Sequence, residues 1–169
     1  KNIATCHMRG GNARGAADAS MKVVELARGA GDWFIVASAQ TVCSGALLEL
    51  GELERAKSAA DEAIEISLSG GHDYHAALTL LRRAEIRSRQ NDATAGEDAV
   101  LARQRAEHSG NTDLAFRARV WLLVNQLKQG ESVGEELGQV LAEAEQQLAT
   151  LRAPTKVLIE NARQLLAAG

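Results

Sequence analysis

The stretch "LGELERAKSAADEAIEIS" (residues 50–67) decides the fold. A glycine follows an apolar run. Ala56, Ala59, Ala60 and Ala63 then fall on one side of a helical wheel. A helix that buries one face usually puts leucine or isoleucine there. Alanine leaves room for a neighbouring backbone, because the distance between two packed helices depends on the side chains between them.

The same pattern recurs along the chain. "ADEAIEISLSGGHDY" (60–74) has a counterpart 40 residues upstream in "SMKVVELARGAGDWF" (20–34). Val24, Glu25 and Leu26 lie over Ile64, Glu65 and Ile66, and Gly31 over Gly71. Downstream, "DAVLARQRAEHSGNTDL" (98–114) repeats it at an offset of 39, with Ala102 over Ala63 and Gly110 over Gly71. Gly11, Gly51, Asn91 and Gly130 recur at spacings of 40, 40 and 39. Glycine and asparagine tolerate the left-handed conformation that ends a helix.

Each unit therefore reads as two helices, A and B, joined by tight turns. The A helices are expected at 33–49, 73–89, 113–128 and 154–167, and the B helices at 13–29, 53–69, 94–109 and 133–150, with a partial A helix over 2–9. Asp32, Asp73 and Asp113 are the expected N-caps of the first three full A helices, and Pro154 fits the first turn of the last. Period-two alternation long enough for a strand is missing. Two-helix units at a fixed period make an α-solenoid, an all-α fold in which each hairpin buries its face against the next. Leu47, Leu48, Leu50, Ile64, Ile66 and Leu68 are expected to fill the space between units. Trp33, Phe34, Tyr74 and Phe116 mark the starts of A helices and are expected to pack between repeats. The helix containing "RVWLLVNQL" (119–127) is apolar nearly all round and should be buried on more than one side.

Composition agrees with this architecture. Apolar residues make up 46% of the 169, but aromatics only 3%, so the core is built from small and aliphatic side chains. One proline in the chain allows long uninterrupted helices. A net charge of -3 gives no basic field for nucleic acid. The absence of a run of about 18 apolar residues predicts no membrane span, and no part of 1–169 reads as a signal peptide. Cys6 and Cys43 do not make a disulfide framework and read as small buried residues of a reducing, cytoplasmic compartment. The whole of 1–169 reads as one repeat domain. Because it opens at Lys1 within an apparent helix, it is expected to be a piece of a longer protein.

The stretch "ALLELGELERAKSAADEAIEI" resembles the second half of a tetratricopeptide repeat. Leu47 and Leu50 precede the turn glycine Gly51, and Ala56, Ala60 and Ala63 follow on helix B. Gly51, Ala56 and Ala63 keep the family spacing. Gly11, Ala16 and Val23 keep it in part, the third unit shows Ala95, Ala99 and Ala102, and the fourth replaces the alanines by Val133, Leu137, Val140 and Leu141. The period of 39–40 exceeds the family's 34. Longer units of this kind resemble the helical repeat regions of large bacterial regulatory ATPases of the maltotriose-responsive activator type. The bias of 14 arginines over 5 lysines is compatible with a bacterial source.

The resemblance implies a right-handed superhelix whose A helices line a concave surface. It implies a non-catalytic module of a signalling or transcription regulator that binds a protein or peptide segment there. A small-molecule effector sensor and a structural spacer or oligomerisation module are the alternatives. In "LLRRAEIRSRQ" (80–90), Arg83 and Arg87 lie nearly opposite the stripe of Tyr74, Ala77, Leu78, Leu81, Ala84 and Ser88, with Arg82 and Arg89 flanking it. One reading is a solvated face. The other, on a helix of the concave surface, is an arginine ladder for a carboxylate or an acidic peptide. Arg82, Arg83, Arg87 and Arg117 are the candidate ligand residues.

Catalytic and cofactor motifs are missing. "HDYH" (72–75) spaces two histidines three apart, but no second cluster completes a metal site, and "CH" (6–7) is too short to mean a nucleophile and base. "RGGNARGAA" (9–17) lacks the lysine and the preceding strand of a phosphate loop. Gly-x-Ser-x-Gly does not occur. The sequence thus points to no enzyme, cofactor or metal.

Overall fold

The computed structural model describes residues 11–168; the expected partial helix over 2–9, Cys6 and His7 lie outside them. The described residues form eight helices and no strand: α1 (Ala13–Gly29), α2 (Trp33–Glu49), α3 (Leu53–Ser69), α4 (Asp73–Arg89), α5 (Ala95–His108), α6 (Thr112–Lys128), α7 (Gly134–Gln147) and α8 (Ala153–Ala168). The helices read as A are α2, α4, α6 and α8.

Six of the seven connections are built the same way. A left-handed residue sits just past the helix end: Gly31, Gly51, Gly71, Asn91, Gly110 and Gly130, with φ between 57° and 85°. At the first of them, Gly31 N–H donates to the Arg28 carbonyl and Asp32 N–H reaches back to Ala27. The pair of bonds is a Schellman motif, and it satisfies two carbonyls that the helix end would leave orphaned. The same pair recurs from Gly51 and Glu52 to Leu48 and Leu47, and from Gly110 and Asn111 to Glu107 and Ala106. The connection over 148–152 is the exception. It has no left-handed residue among the described ones, and α7 stops at Gln147 rather than running to 150.

Helix starts follow competition between side chains. Asp32 caps α2 by accepting from Ile35 N–H at 3.0 Å, as expected. Asp73 and Asp113 do not cap. His72 and Asn111 hold those positions, and Asn111 accepts from Leu114 N–H at 2.9 Å. Both aspartates move into the first turn, where they remain favourable to the helix dipole and are free to bind elsewhere. Asp73 pairs with Arg105 at 2.9 Å, and Asp113 accepts the backbone N–H of Arg152 at 2.9 Å.

Each helix packs on its chain neighbours, and the backbones of α2, α4, α6 and α8 also come close to one another in succession; α1 and α3 meet through side chains, as in the ion pair of Arg28 with Glu62. The alanines explain the closeness. Ala56, Ala60 and Ala63 of α3 are fully buried, as are Ala16 and Ala17 of α1 and Ala99, Ala102 and Ala106 of α5. Leu47, Leu48 and Ile64 fill the gaps beside them, and Leu50 and Ile66 are partly buried. Leu68 does not join them and is 42% exposed. The buried stripe runs from Ala60 and Ala63 to Ser67, which turns Leu68 outward. Trp33, at 55% exposed, lies at the margin; Phe34, at 47% exposed, still meets His72 and His75 at the start of the next A helix, and Tyr74 and Phe116 pack partly against core clusters. Helix α6 is buried on two sides: Trp121 and Leu122 face the cluster of α4 and α5, and Val120, Leu123 and Val124 face that of α7 and α8.

Ala56→Leu and Ala63→Leu should each lower stability by about 1–3 kcal/mol through overpacking. Denaturant titration of the two variants checks this, and midpoints equal to the parent's would place the close contact elsewhere.

A cationic groove on the row of alternate helices

Tyr74, Leu78 and Arg82 stand four residues apart on α4 and so share one face. They form one wall of a groove of about 860 Å³. Thr41, Val42 and Gly45 of α2 oppose them. Asn111, Asp113, Leu114 and Arg117 line it from α6 and its cap, and Arg152, Ala153 and Pro154 line it at the start of α8. All four A helices therefore contribute. The exceptional connection over 148–152 delivers Arg152, whose backbone N–H is fixed by Asp113 and whose Nη1 lies 3.5 Å from the Tyr74 hydroxyl.

The four candidate arginines divide into two pairs. Arg82 and Arg117 face the groove. Arg83 and Arg87 are engaged within the protein. Arg83 donates Nε and Nη2 to the two carboxylate oxygens of Asp98, at 2.8 and 2.6 Å, and Nη1 to Asp61 at 2.7 Å. Arg87 Nη1 reaches Asp98 at 2.8 Å. Asp98 is buried, and Arg83 is only 17% exposed. The face opposite the Tyr74 stripe is thus neither solvated nor open to a ligand. It is an ion network that ties α4 to α3 and α5. Hydrogen bonds to Asp98 hold the Arg83 proton more tightly than usual, against the effect of burial. Burial pushes the Asp61 carboxyl up, but the bonds from Arg83 and Lys57 prevail and leave it below the ordinary carboxylate value of 3.8. Arg89 is also engaged, donating to the Leu48 carbonyl at 3.1 Å in the last turn of α2.

Asp98→Asn would take away the charge shared by two guanidinium groups and should destabilise the fold by about 3 kcal/mol, as breaking a buried pair does. Urea unfolding measures it. A loss below about 1 kcal/mol, the range of exposed pairs, would show that water already screens the network.

No family model matches the chain, and no curated protein or solved structure matches it. The chemistry of the groove follows from its own residues.

Arg117 is the distinctive group. It makes no hydrogen bond or ion pair among the described residues, and its Nε is buried without a partner. Burial lowers its pKa from the ordinary guanidinium value; Glu85 and Asp113 oppose that shift, and Arg82 adds to it. It remains charged at neutral pH, as guanidinium groups do in proteins. Arg82 pairs with Glu85 at 2.9 Å. Its guanidinium rests against α2 at Gly45, where a Cβ would stand 3.3 Å from Cζ, Nε and Nη2 alike. Gly45 therefore seats the flat group against the helix. Leu78, Leu114, Val42 and Pro154 supply apolar lining.

Gly45 and Arg152 were not among the residues singled out from sequence, and Asp113 was singled out only as a helix cap. The signal for Gly45 was present: a glycine inside the helical "CSGALLEL" (43–50) costs about 1 kcal/mol relative to alanine and implies a close approach. Arg152 gave none, because its place depends on an irregular connection. The other chemical candidates have structural surroundings. His72 and His75 meet the Phe34 ring edge-on at 4.9 and 5.0 Å. Cys43 is buried and unpaired, and burial pushes its thiol pKa up, away from thiolate chemistry. Among the described residues no three His, Cys, Asp or Glu side chains gather as metal ligands, and no helix is long and apolar enough to cross a membrane.

Gly45→Ala should hold or raise stability by up to about 1 kcal/mol, because only the tip of a flexible side chain must give way. A thermal melt checks this, and a loss of that size would mean that Arg82 is pinned in place.

Proposed function

We propose that this chain is a non-catalytic binding module: a tetratricopeptide-like right-handed α-solenoid that receives a protein or peptide segment in the groove lined by α2, α4, α6 and α8. Its setting is a bacterial, cytoplasmic signalling or transcription regulator of the regulatory-ATPase kind. The observation that carries this reading is the groove itself. It runs across all four A helices and combines apolar walls with guanidinium groups, the mixture by which binding sites gain affinity and orientation. The engagement of Arg83 and Arg87 with Asp98 and Asp61 narrows the ligand-facing candidates to Arg82 and Arg117.

One observation favours the small-effector reading. The groove volume lies within the range of about 300–1,000 Å³ typical of small-molecule sites.

Hydrogen exchange on the chain, with peptides and metabolites selected by thermal shift, tests the site. A bound ligand raises the melting temperature by mass action and should slow exchange in α4 and in the first turns of α6 and α8. Ligands that protect only α1, α3, α5 or α7 would remove the groove from consideration. Melting shifts confined to metabolites would favour the effector reading over the peptide one.

A further inference from the structure

We propose that the groove recognises a single carboxylate carried on an apolar body, with Arg117 as the group that pairs with it. The assignment rests on the groove being the ligand site, and adds to that a ligand charge, a ligand chemistry and a residue.

Partnering comes first. The other described arginines each find a carboxylate, a carbonyl or a hydroxyl. Arg14, Arg28 and Arg55 pair with Glu52 or Glu62. Arg103 pairs with Glu107, Arg119 with Glu143 and Arg163 with Glu145. Arg89 has its carbonyl and Arg152 its tyrosine. Arg117 alone among the described arginines has neither a hydrogen bond nor an ion pair, and its Nε is cut off from solvent. A fully exposed arginine without a partner is hydrated and costs nothing. A guanidinium whose Nε is buried with no partner is costly, and the fold retains one on the wall of its groove.

Charge narrows the class of anion. Three guanidinium groups line the groove: Arg82, Arg117 and Arg152. Glu85 neutralises Arg82, and Asp113 lines the wall beside Arg117. One positive charge is left over. That suits a monoanion, whereas a phosphate dianion would be left with charge to spare beside Asp113 and Glu85. A guanidinium offers two parallel donors to the two oxygens of a carboxylate. Val42, Leu78, Leu114 and Pro154 then take up the apolar remainder of the ligand. Arg82 lies against α2 at Gly45 and is already paired with Glu85, which leaves Arg117 as the unpaired guanidinium of the lining.

A carboxylate of this kind comes from a free organic acid or from an aspartate or glutamate side chain within a peptide. Calorimetric titration with matched probes separates these sources: 4-phenylbutyrate against 4-phenylbutyramide, and acetyl-Leu-Glu-Leu-amide against acetyl-Leu-Gln-Leu-amide. The acid of at least one pair should bind about 10- to 100-fold more tightly than its amide. The pair that shows the preference identifies the source. Arg117→Gln should abolish the preference while the melting temperature of the free protein holds or rises, because an unpaired charge has been removed from a half-buried place. Arg163→Gln, at a surface pair with Glu145, should change neither. Acid and amide binding alike to the parent, or a preference that survives in Arg117→Gln, would overturn the assignment of Arg117 while leaving the groove as the site. A fall in melting temperature with the preference intact would make Arg117 a structural residue and overturn it too. Failure of every probe to bind would remove the groove and the carboxylate together.

Discussion

A single left-handed residue at the end of a helix governs most of this molecule. Its positive φ lets the chain reverse within three residues while the reversing N–H groups satisfy carbonyls of the helix just finished. The reversal is so tight that the next helix must run close against the last. Closeness is possible only if the facing side chains are small, so the alanines of α1, α3 and α5 are a consequence of the turn as much as of the core. A large side chain at Ala60 would strain a connection several residues away. The turn glycines and the buried alanines form one constraint expressed at two places in the sequence.

Polar forces act on top of that frame. The network of Arg83 and Arg87 with Asp98 and Asp61 joins three helices through charge-assisted bonds, buried at Asp98 and open to water at Asp61. Apolar contact between alanines is weakly directional, so it fixes distance better than rotation. A bidentate bond from Arg83 to Asp98 has a defined plane and fixes the rotation of α4 against α5. That rotation turns Tyr74, Leu78 and Arg82 toward the groove. The arginines held in the ion network thus orient the residues that line the groove.

Local features of the sequence were legible and non-local ones were not. Helix limits at 33–49, 53–69 and 73–89 follow from periodicity and turn residues, and those helices occupy 33–49, 53–69 and 73–89. Gly51 and Asn91 declare their backbone conformation by residue type alone. Arg83 and Arg87 did not declare theirs. A helical wheel shows a face but not what approaches it, and Asp98 comes from a different helix, fifteen residues on from Arg83. Asp73 and Asp113 looked like caps because capping is a local preference. Each was displaced by the residue at a neighbouring position, and each found a distant partner instead. Trp33 is large and apolar, yet it lies at the margin, where no later element covers it fully.

The connection over 148–152 departs from the turn that precedes it six times, and this has a geometric consequence. A row of equivalent units presents the same surface at every step, so a ligand lying along it has no unique register. Registration requires a defect in the periodicity. Here the irregular connection and the start of α8 bring Arg152 and Pro154 into the groove lining, which also holds the unmatched Gly45 and Arg117. The copied parts of the sequence build a ruler without numerals. The parts that are not copies supply the zero mark, and they give the row of A helices a direction and a fixed point.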